Sequence, residues 1–340
     1  MNPSVSESLH VGIRCDATAR GGTGHLVRQT ALAEELQARG HHATFYGESD
    51  VEWAGRLVAR LGLEFVTPEY DFAAQVRADA VDAVMIDGYP FPAELGEALR
   101  ASGLPVAAMV DGDFGRHQDA DLYVDQNLGS EDPGLANWLV GPEYVLLRDV
   151  VRSRRDVARA HSDPPRVLVV FGGSDPFGGC PVAVELLAST GLPMHVVAVA
   201  ASPERRAELE AIPVVAGQSL EVVGTQDDLP GLALTCDFVV SAAGSSVWEF
   251  ACLGIPTGLV CVVDNQVIAY EAATSELAVA VGQLDRLRHN DAARDAARSA
   301  LARLVEDAGW RAQLSEGGRR LVDGDGRVRV VDAIERLVRR

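Results

Sequence analysis

From residue 9 onward, short apolar runs alternate with longer segments whose apolar positions recur every three or four residues. The first spacing predicts buried strands and the second predicts amphipathic helices. Residues 10–16, 42–48, 64–67, 83–87, 106–111 and 122–125 read as strands, and 25–39, 52–61, 72–78 and 92–101 as helices. Segment 141–165 carries Arg148, Arg152, Arg154, Arg155 and Arg159 and closes with Asp163-Pro164-Pro165, the composition of a connector. The alternation then restarts, with strands expected at 166–171, 194–200, 213–215, 237–241, 256–263 and 278–281. Helices without further strands follow at 291–306, 309–321 and 328–340. Strand-helix alternation of this kind predicts an α/β chain of two doubly wound, Rossmann-like domains. The expected layout is a first domain over 1–150, a linker over 151–165, a second domain over 166–325, and a last helix over 326–340 that crosses back to the first.

Two loops concentrate the chemistry. Gly22-Thr23-Gly24-His25-Leu26-Val27-Arg28 and Ala242-Ala243-Gly244-Ser245-Ser246-Val247-Trp248-Glu249 each follow an apolar strand and open a helix. At such junctions unpaired N–H groups and the positive end of the helix dipole favour an anion, and glycine lets a phosphate approach the main chain. One loop in each half predicts a nucleotide held in a cleft between the domains, with Gly22, Gly24 and Arg28 on one side and Gly244, Ser245 and Ser246 on the other. A dinucleotide fingerprint is a poor match, because its third glycine falls on Val27. His25, at the helix start, places an imidazole where it can move a proton near neutral pH, the competing role being a packed or capping histidine.

In the second half, Phe171-Gly172-Gly173-Ser174-Asp175-Pro176 and Asp264-Asn265-Gln266 end two further strands, where doubly wound sheets place ligands. Gly173 and Ser174 suit a diphosphate. Glu249, one helical turn beyond the Gly-Ser-Ser turn, suits the two hydroxyls of a ribose. Asn265 and Gln266 join this nucleotide-binding set. Asp111-Gly112-Asp113 mimics the Asp-x-Asp by which some glycosyltransferases hold a divalent ion, but helix ends in both halves supply the phosphate contacts, so no metal is expected. No cysteine and histidine spacing suits zinc.

Composition narrows the partners. The 340 residues exceed what a single core ordinarily organises. Apolar residues make up 47% of the chain, yet no run reaches the length of a membrane span, and residues 1–8 lack the pattern of a secretion signal, so a cytoplasmic enzyme is expected. The 5 cysteines are scattered through apolar segments and read as buried thiols. All 30 basic residues are arginine, which excludes a P-loop lysine, a pyridoxal Schiff base and a lysine general base. A net charge of −19 argues against nucleic acid and anionic membranes as partners.

Taken in order, Arg14-Cys15-Asp16, Gly22-Thr23-Gly24-His25 with Arg28, Ile86-Asp87-Gly88-Tyr89, Asp125-Gln126-Asn127, Gly141-Pro142-Glu143-Tyr144, Gly172-Gly173-Ser174-Asp175-Pro176, Ala243-Gly244-Ser245-Ser246 with Trp248-Glu249, and Asn265-Gln266 carry a resemblance. The chain resembles the UDP-sugar hydrolase of pseudaminic acid biosynthesis and its spore-coat-polysaccharide relatives, within the MurG-like GT-B glycosyltransferase superfamily. The resemblance implies two Rossmann-like domains and a metal-free, cofactor-free cleavage of a UDP-sugar at the anomeric carbon, with water as nucleophile. It implies His25 as general base, with Tyr89 in the site. Should His25 be only a structural cap, Asp87 and Asp111 are the next candidates for the base. Two departures stand out. Phe177-Gly178-Gly179-Cys180 replace a polar residue and a Leu-Thr pair, and Asp111-Gly112-Asp113 replaces two adjacent aspartates. Transfer to a small-molecule acceptor is the alternative, and a non-catalytic nucleotide-sugar binding protein a second.

Overall fold

Strands β1 (His10–Arg14), β4 (Ala83–Ile86) and β5 (Val106–Met109) are built from small and β-branched apolar residues buried almost throughout. Side chains that are apolar on both faces of a strand demand cover on both faces, which a parallel sheet flanked by helices provides. The computed structural model describes residues 8–18, 23–112, 114–159 and 161–339, and in it these strands form the middle of a seven-stranded sheet. Its order is β3-β2-β1-β4-β5-β6-β7, all parallel, with β2 (His42–Tyr46), β3 (Phe65–Val66), β6 (Leu122–Asp125) and β7 (Trp138–Val140) completing it. Helices α1 (Gly24–Ala38), α2 (Glu52–Ala59), α3 (Phe72–Ala78) and α4 (Glu94–Ala101) make the crossovers, and a short α5 (Asp149–Arg152) follows β7.

The second sheet repeats the design with six parallel strands in the order β10-β9-β8-β11-β12-β13. These are β8 (Arg166–Val170), β9 (Met194–Val199), β10 (Gln218–Val223), β11 (Phe238–Ala242), β12 (Thr257–Cys261) and β13 (Val279–Gln283). Its helices are α6 (Gly179–Ser189), α7 (Pro203–Glu210), α8 (Leu229–Leu234), α9 (Ser246–Leu253), α10 (Val267–Glu276), α11 (Leu284–His289), α12 (Asp291–Glu306) and α13 (Ala308–Leu321). All 5 cysteines are free thiols and buried.

The chain divides into two compact units, Met1–Asp149 with Gly324–Arg340, and Val150–Asp323. The last helix, α14 (Gly326–Val338), therefore belongs to the first unit, where Val330, Val331, Ala333 and Ile334 enter the core beside Leu32 and Leu36 of α1. Arg327, 2% exposed, is held there by Glu34, Glu35 and Asp149. A side chain at position 326 would come within 2.3 Å of the Val145 carbonyl, which explains the glycine where α14 enters.

Two expectations need correction. The strand expected at 213–215 lies instead at Gln218–Val223. Val214 and Val215 are 41% and 51% exposed, Pro213 has no N–H for a ladder, and the left-handed turn at Gly217 (φ +88°) precedes the strand. Sequence also passes over β7, whose three residues fall short of a recognisable run.

Candidate functional site

Strands β1, β4, β5 and β6 of the first unit all end at the same edge of the sheet, and the polar residues just beyond them converge with the first turn of α1. That turn is unusual in burying charge: His25, Arg28 and Gln29 are 9%, 7% and 0% exposed. Their common partner is Asp87, directly after β4 and 1% exposed. Arg28 grips it with one edge of the guanidinium, Nε to Oδ2 at 2.7 Å and Nη2 to Oδ1 at 2.5 Å. Gln29 Nε2 donates to Oδ2 at 2.8 Å, and His25 Nδ1 lies 2.8 Å from Oδ1.

A carboxylate this well supplied with donors stays ionised. Burial pushes the Asp87 carboxyl up, but the charges and hydrogen bonds of Arg28 and His25 outweigh it and hold the group well below the usual carboxylate range. Arg28 Nη2 also lies 3.0 Å from His25 Nδ1, but its bond to Asp87 Oδ1 is the shorter at 2.5 Å, and an ionised carboxylate can only accept, so the 2.8 Å His25–Asp87 contact is a hydrogen bond with the imidazole proton on Nδ1. Nε2 is then a lone-pair acceptor, and it has no protein partner among the described residues. The ring is steadied by Tyr89, packed edge-on with centroids 4.4 Å apart, and Tyr89 in turn meets Phe114 at 4.5 Å.

Tyr89 donates its hydroxyl to Asp111 Oδ2 at 3.0 Å. Burial, reinforced by the Asp111 carboxylate, pushes the phenol above its ordinary value, so it remains a donor at neutral pH. Asn127, beyond β6, bridges Asp111 Oδ1 and Asp125 Oδ1 at 3.3 and 3.1 Å. Arg28 Nη1 lies 3.6 Å from Asp111, so one buried cation sits between two acidic residues.

In the second unit, Gly172 (φ +67°) and Asp175 (φ +40°) turn the chain sharply after β8 and leave Gly173 and Ser174 exposed. Asp175 folds back as a lid on α6, accepting from the Gly179 and Cys180 N–H groups at 2.8 and 3.1 Å. The first turn of that helix is thus already occupied by a carboxylate. The Phe177-Gly178-Gly179-Cys180 departure has a local cause. Gly178 is left-handed (φ +64°), a Cβ on Gly179 would come within 2.3 Å of the Phe171 ring, and Cys180 is buried.

Helix α9 begins differently. Ser245 stands at its N-cap without a side-chain cap bond, Gly244 and Ser245 are exposed, and Glu249 lies buried on the first turn. A Cβ at Gly244 would meet nothing within 4 Å and the residue has no left-handed φ, so neither packing nor backbone calls for glycine there. Gln266 closes a 3-10 turn, Asp264–Gln266, and its Oε1 accepts from the Val262 N–H at 3.1 Å.

His25, Arg28, Asp87, Tyr89 and Asp111 therefore meet in one network in the first unit, with Gly24 opening α1 beside them. Gly173 and Ser174, Gly244 to Ser246 with Glu249, and Gln266 follow three strands of the second unit: β8, β11 and β12. Gly22, Asp113 and the side chain of Asn265 lie outside what is described. Arg28, expected to meet substrate, has its guanidinium engaged by Asp87. Gln29, Asn127 and Asp175 escaped the sequence reading as functional residues. Asn127 and Asp175 stand inside the resemblance-bearing segments, which was the available signal, whereas nothing distinguishes Gln29 from any helical glutamine.

No protein family model matches the chain. It is 27% identical, over 97% of its length and 98% of the relative's, to the spore coat polysaccharide biosynthesis protein SpsG of Bacillus subtilis (strain 168). It is 26% identical, over 96% of its length and 99% of the relative's, to the UDP-N-acetylglucosamine--N-acetylmuramyl-(pentapeptide) pyrophosphoryl-undecaprenol N-acetylglucosamine transferase of Halorhodospira halophila. Among solved structures, MurG of Acinetobacter baumannii matches with a TM-score of 0.70 at 16% identity, covering 96% of this chain and 99% of that one. The two parallel-sheet Rossmann-like units are those of the GT-B fold.

Proposed function

We propose that the protein is a GT-B glycosyltransferase that takes the sugar of a UDP-sugar and passes it to a hydroxyl of an acceptor. The observation that carries this is the 2.8 Å His25–Asp87 contact, which turns a solitary helix-start histidine into an oriented base with Nε2 unengaged. His25 Nε2 removes the proton of the acceptor hydroxyl as its oxygen bonds to the anomeric carbon. The bond from that carbon to the diphosphate oxygen breaks, and the electron pair leaves with UDP. Because a nucleoside diphosphate is a good leaving group, an oriented base and donors to the phosphate suffice without a second carboxylic acid.

On the second unit, the uncapped start of α9 and the Gly173–Ser174 turn bind the diphosphate, and Glu249 the ribose hydroxyls. Neither a divalent ion nor a cofactor takes part. Support for an acceptor over water comes from the relatives, one of which is named a transferase and none a hydrolase. That reverses the preference for hydrolysis implied by the resemblance in sequence.

The test is release of UDP from UDP-N-acetylglucosamine, with and without a panel of hydroxylated acceptors and with excess EDTA. Turnover that depends on acceptor and ignores chelator is expected. Equal UDP release in plain buffer would return the reading to hydrolysis, and loss of turnover with EDTA, restored by magnesium, would overturn its metal independence. His25→Asn should lower kcat by roughly 10²–10⁴-fold and leave UDP affinity unchanged.

A further inference from the structure

The Arg28–Asp87–Gln29 cluster is a larger device than orienting one imidazole needs. One hydrogen bond from Nδ1 to a carboxylate fixes tautomer and ring direction. Here the same carboxylate also takes two bonds from a buried guanidinium and one from a buried amide. Gln29 makes its bond at a cost, since its Oε1 is buried without a hydrogen-bond partner, an arrangement that a leucine of similar volume avoids. The carboxylate only accepts, so Gln29 must turn its amino side to Asp87 and strand its oxygen.

We propose that Arg28 and Gln29 are positioning residues that hold Asp87 as a charge-compensated anchor for His25. The inference rests on His25 being the base, but concerns the proton it holds before any substrate arrives. An ionised, uncompensated aspartate 2.8 Å from the ring would bind the imidazolium tightly, and a base that is already protonated is useless. Arg28 cancels that charge while leaving the directional hydrogen bond in place, and Gln29 pins the second oxygen so that the carboxylate plane stays aligned with the ring.

Arg28 also faces the ring directly, its Nη2 3.0 Å from His25 Nδ1, where a cation disfavours an imidazolium in the same sense. The other groups around His25 do not duplicate this. Tyr89 is a neutral phenol, and Asp111, a third exposed, is engaged by Tyr89 and Asn127. Cys15, at the end of β1, is kept a neutral thiol by burial and by Asp87. Arg28 is thus the cation that compensates Asp87, and on this reading it does not contact phosphate.

The experiment is histidine-selective ¹⁵N NMR of the full-length protein without ligand, comparing wild type with Arg28→Met, Gln29→Leu and Asp87→Asn. Wild-type His25 should carry its proton on Nδ1 when neutral. In Arg28→Met the His25–Asp87 pair should keep its extra proton to a pH roughly one unit or more higher, the scale of losing an opposite charge at hydrogen-bond range. Gln29→Leu should shift it in the same direction by less. Where turnover of UDP-N-acetylglucosamine is measurable, the acidic limb of kcat should move with the NMR titration while KM stays within about two-fold of wild type.

An Arg28→Met protein that fails to fold leaves Gln29→Leu, which removes no charge, to decide the point. An unchanged titration in the folded variants, or a neutral His25 protonated on Nε2, overturns the proposal. Unchanged titration with a ten-fold or greater rise in the Kd for UDP would make Arg28 a phosphate ligand instead. Failure of the transferase reading shows separately, as absent turnover in wild type, and leaves the titration result standing.

Discussion

The two units carry the same architecture and end their central strands in opposite ways. In the first, the strand ends are filled in advance: three side chains of α1 lock around Asp87, just beyond β4, and Tyr89 and Asn127 brace a second carboxylate, Asp111, beside it. In the second, β8 and β11 run into exposed glycine and serine turns. Even within that unit there is a contrast, since α6 has its first turn satisfied by Asp175 and α9 has no side-chain cap. Groups that move protons must be positioned before the reaction and held against solvent, whereas groups that receive a phosphate need only offer N–H donors and room. Under the proposed function the two units divide along this line.

The sharpest way to break the comparison is at Asp87. Asp87→Ala leaves the Arg28 guanidinium buried with only the more distant Asp111 as counter-charge, and should cost about 3–5 kcal/mol in urea unfolding, the toll of removing one partner of a buried ion pair. A loss below 1 kcal/mol would mean that the network is not a prebuilt element. The same carboxylate sets an acid limit. Its folded proton affinity lies well below that of an unfolded aspartate, near 3.9, so its stabilisation is present at neutral pH and disappears as pH falls below about 4. Asp87→Asn should flatten that part of the stability–pH curve.

A smaller effect is expected at Glu249 of the second unit. Glu249→Ala should weaken UDP binding in calorimetry by about 1.5–3 kcal/mol, the worth of a hydrogen bond to a charged group; unchanged affinity in a folded variant would remove the ribose from this position. The smallest is expected at Asp175. Its replacement by alanine should destabilise the protein by about 0.5–2 kcal/mol through loss of the α6 cap, with UDP affinity little altered. If affinity instead collapses, the exposed turns depend on a prebuilt frame after all and the contrast between units weakens.

What could be read in the sequence was whatever repeats locally. Continuous apolar runs such as Val167–Val170 announce buried parallel strands, and the helices Phe72–Ala78 and Asp291–Glu306 fall where their spacing predicts. β10 was misplaced because an edge strand is half exposed and its pattern, QSLEVV, gives little contrast with a loop. The network was beyond reach for a different reason. His25 and Asp87 are 62 positions apart, and only the pairing of β1 with β4 brings them to hydrogen-bond distance. His25 was noticed for its place at a helix start, yet the partner that fixes its tautomer, and the arginine committed to that partner, follow from register and not from any motif.

The placement of α14 has a consequence for how the protein comes into being. During synthesis the seven strands of the first sheet leave the ribosome long before residues 326–338 exist, so the nascent unit must wait with Leu32 and Leu36 of α1 uncovered while the whole second unit is translated. Arg327 then closes that unit by engaging Glu34, Glu35 and Asp149 together, adding a second cation to Glu35, which Arg39 already meets at 2.9 Å. Premature termination between β13 and α14 would therefore release a chain with all thirteen described strands but an open first core, a species suited to capture by chaperones or proteases.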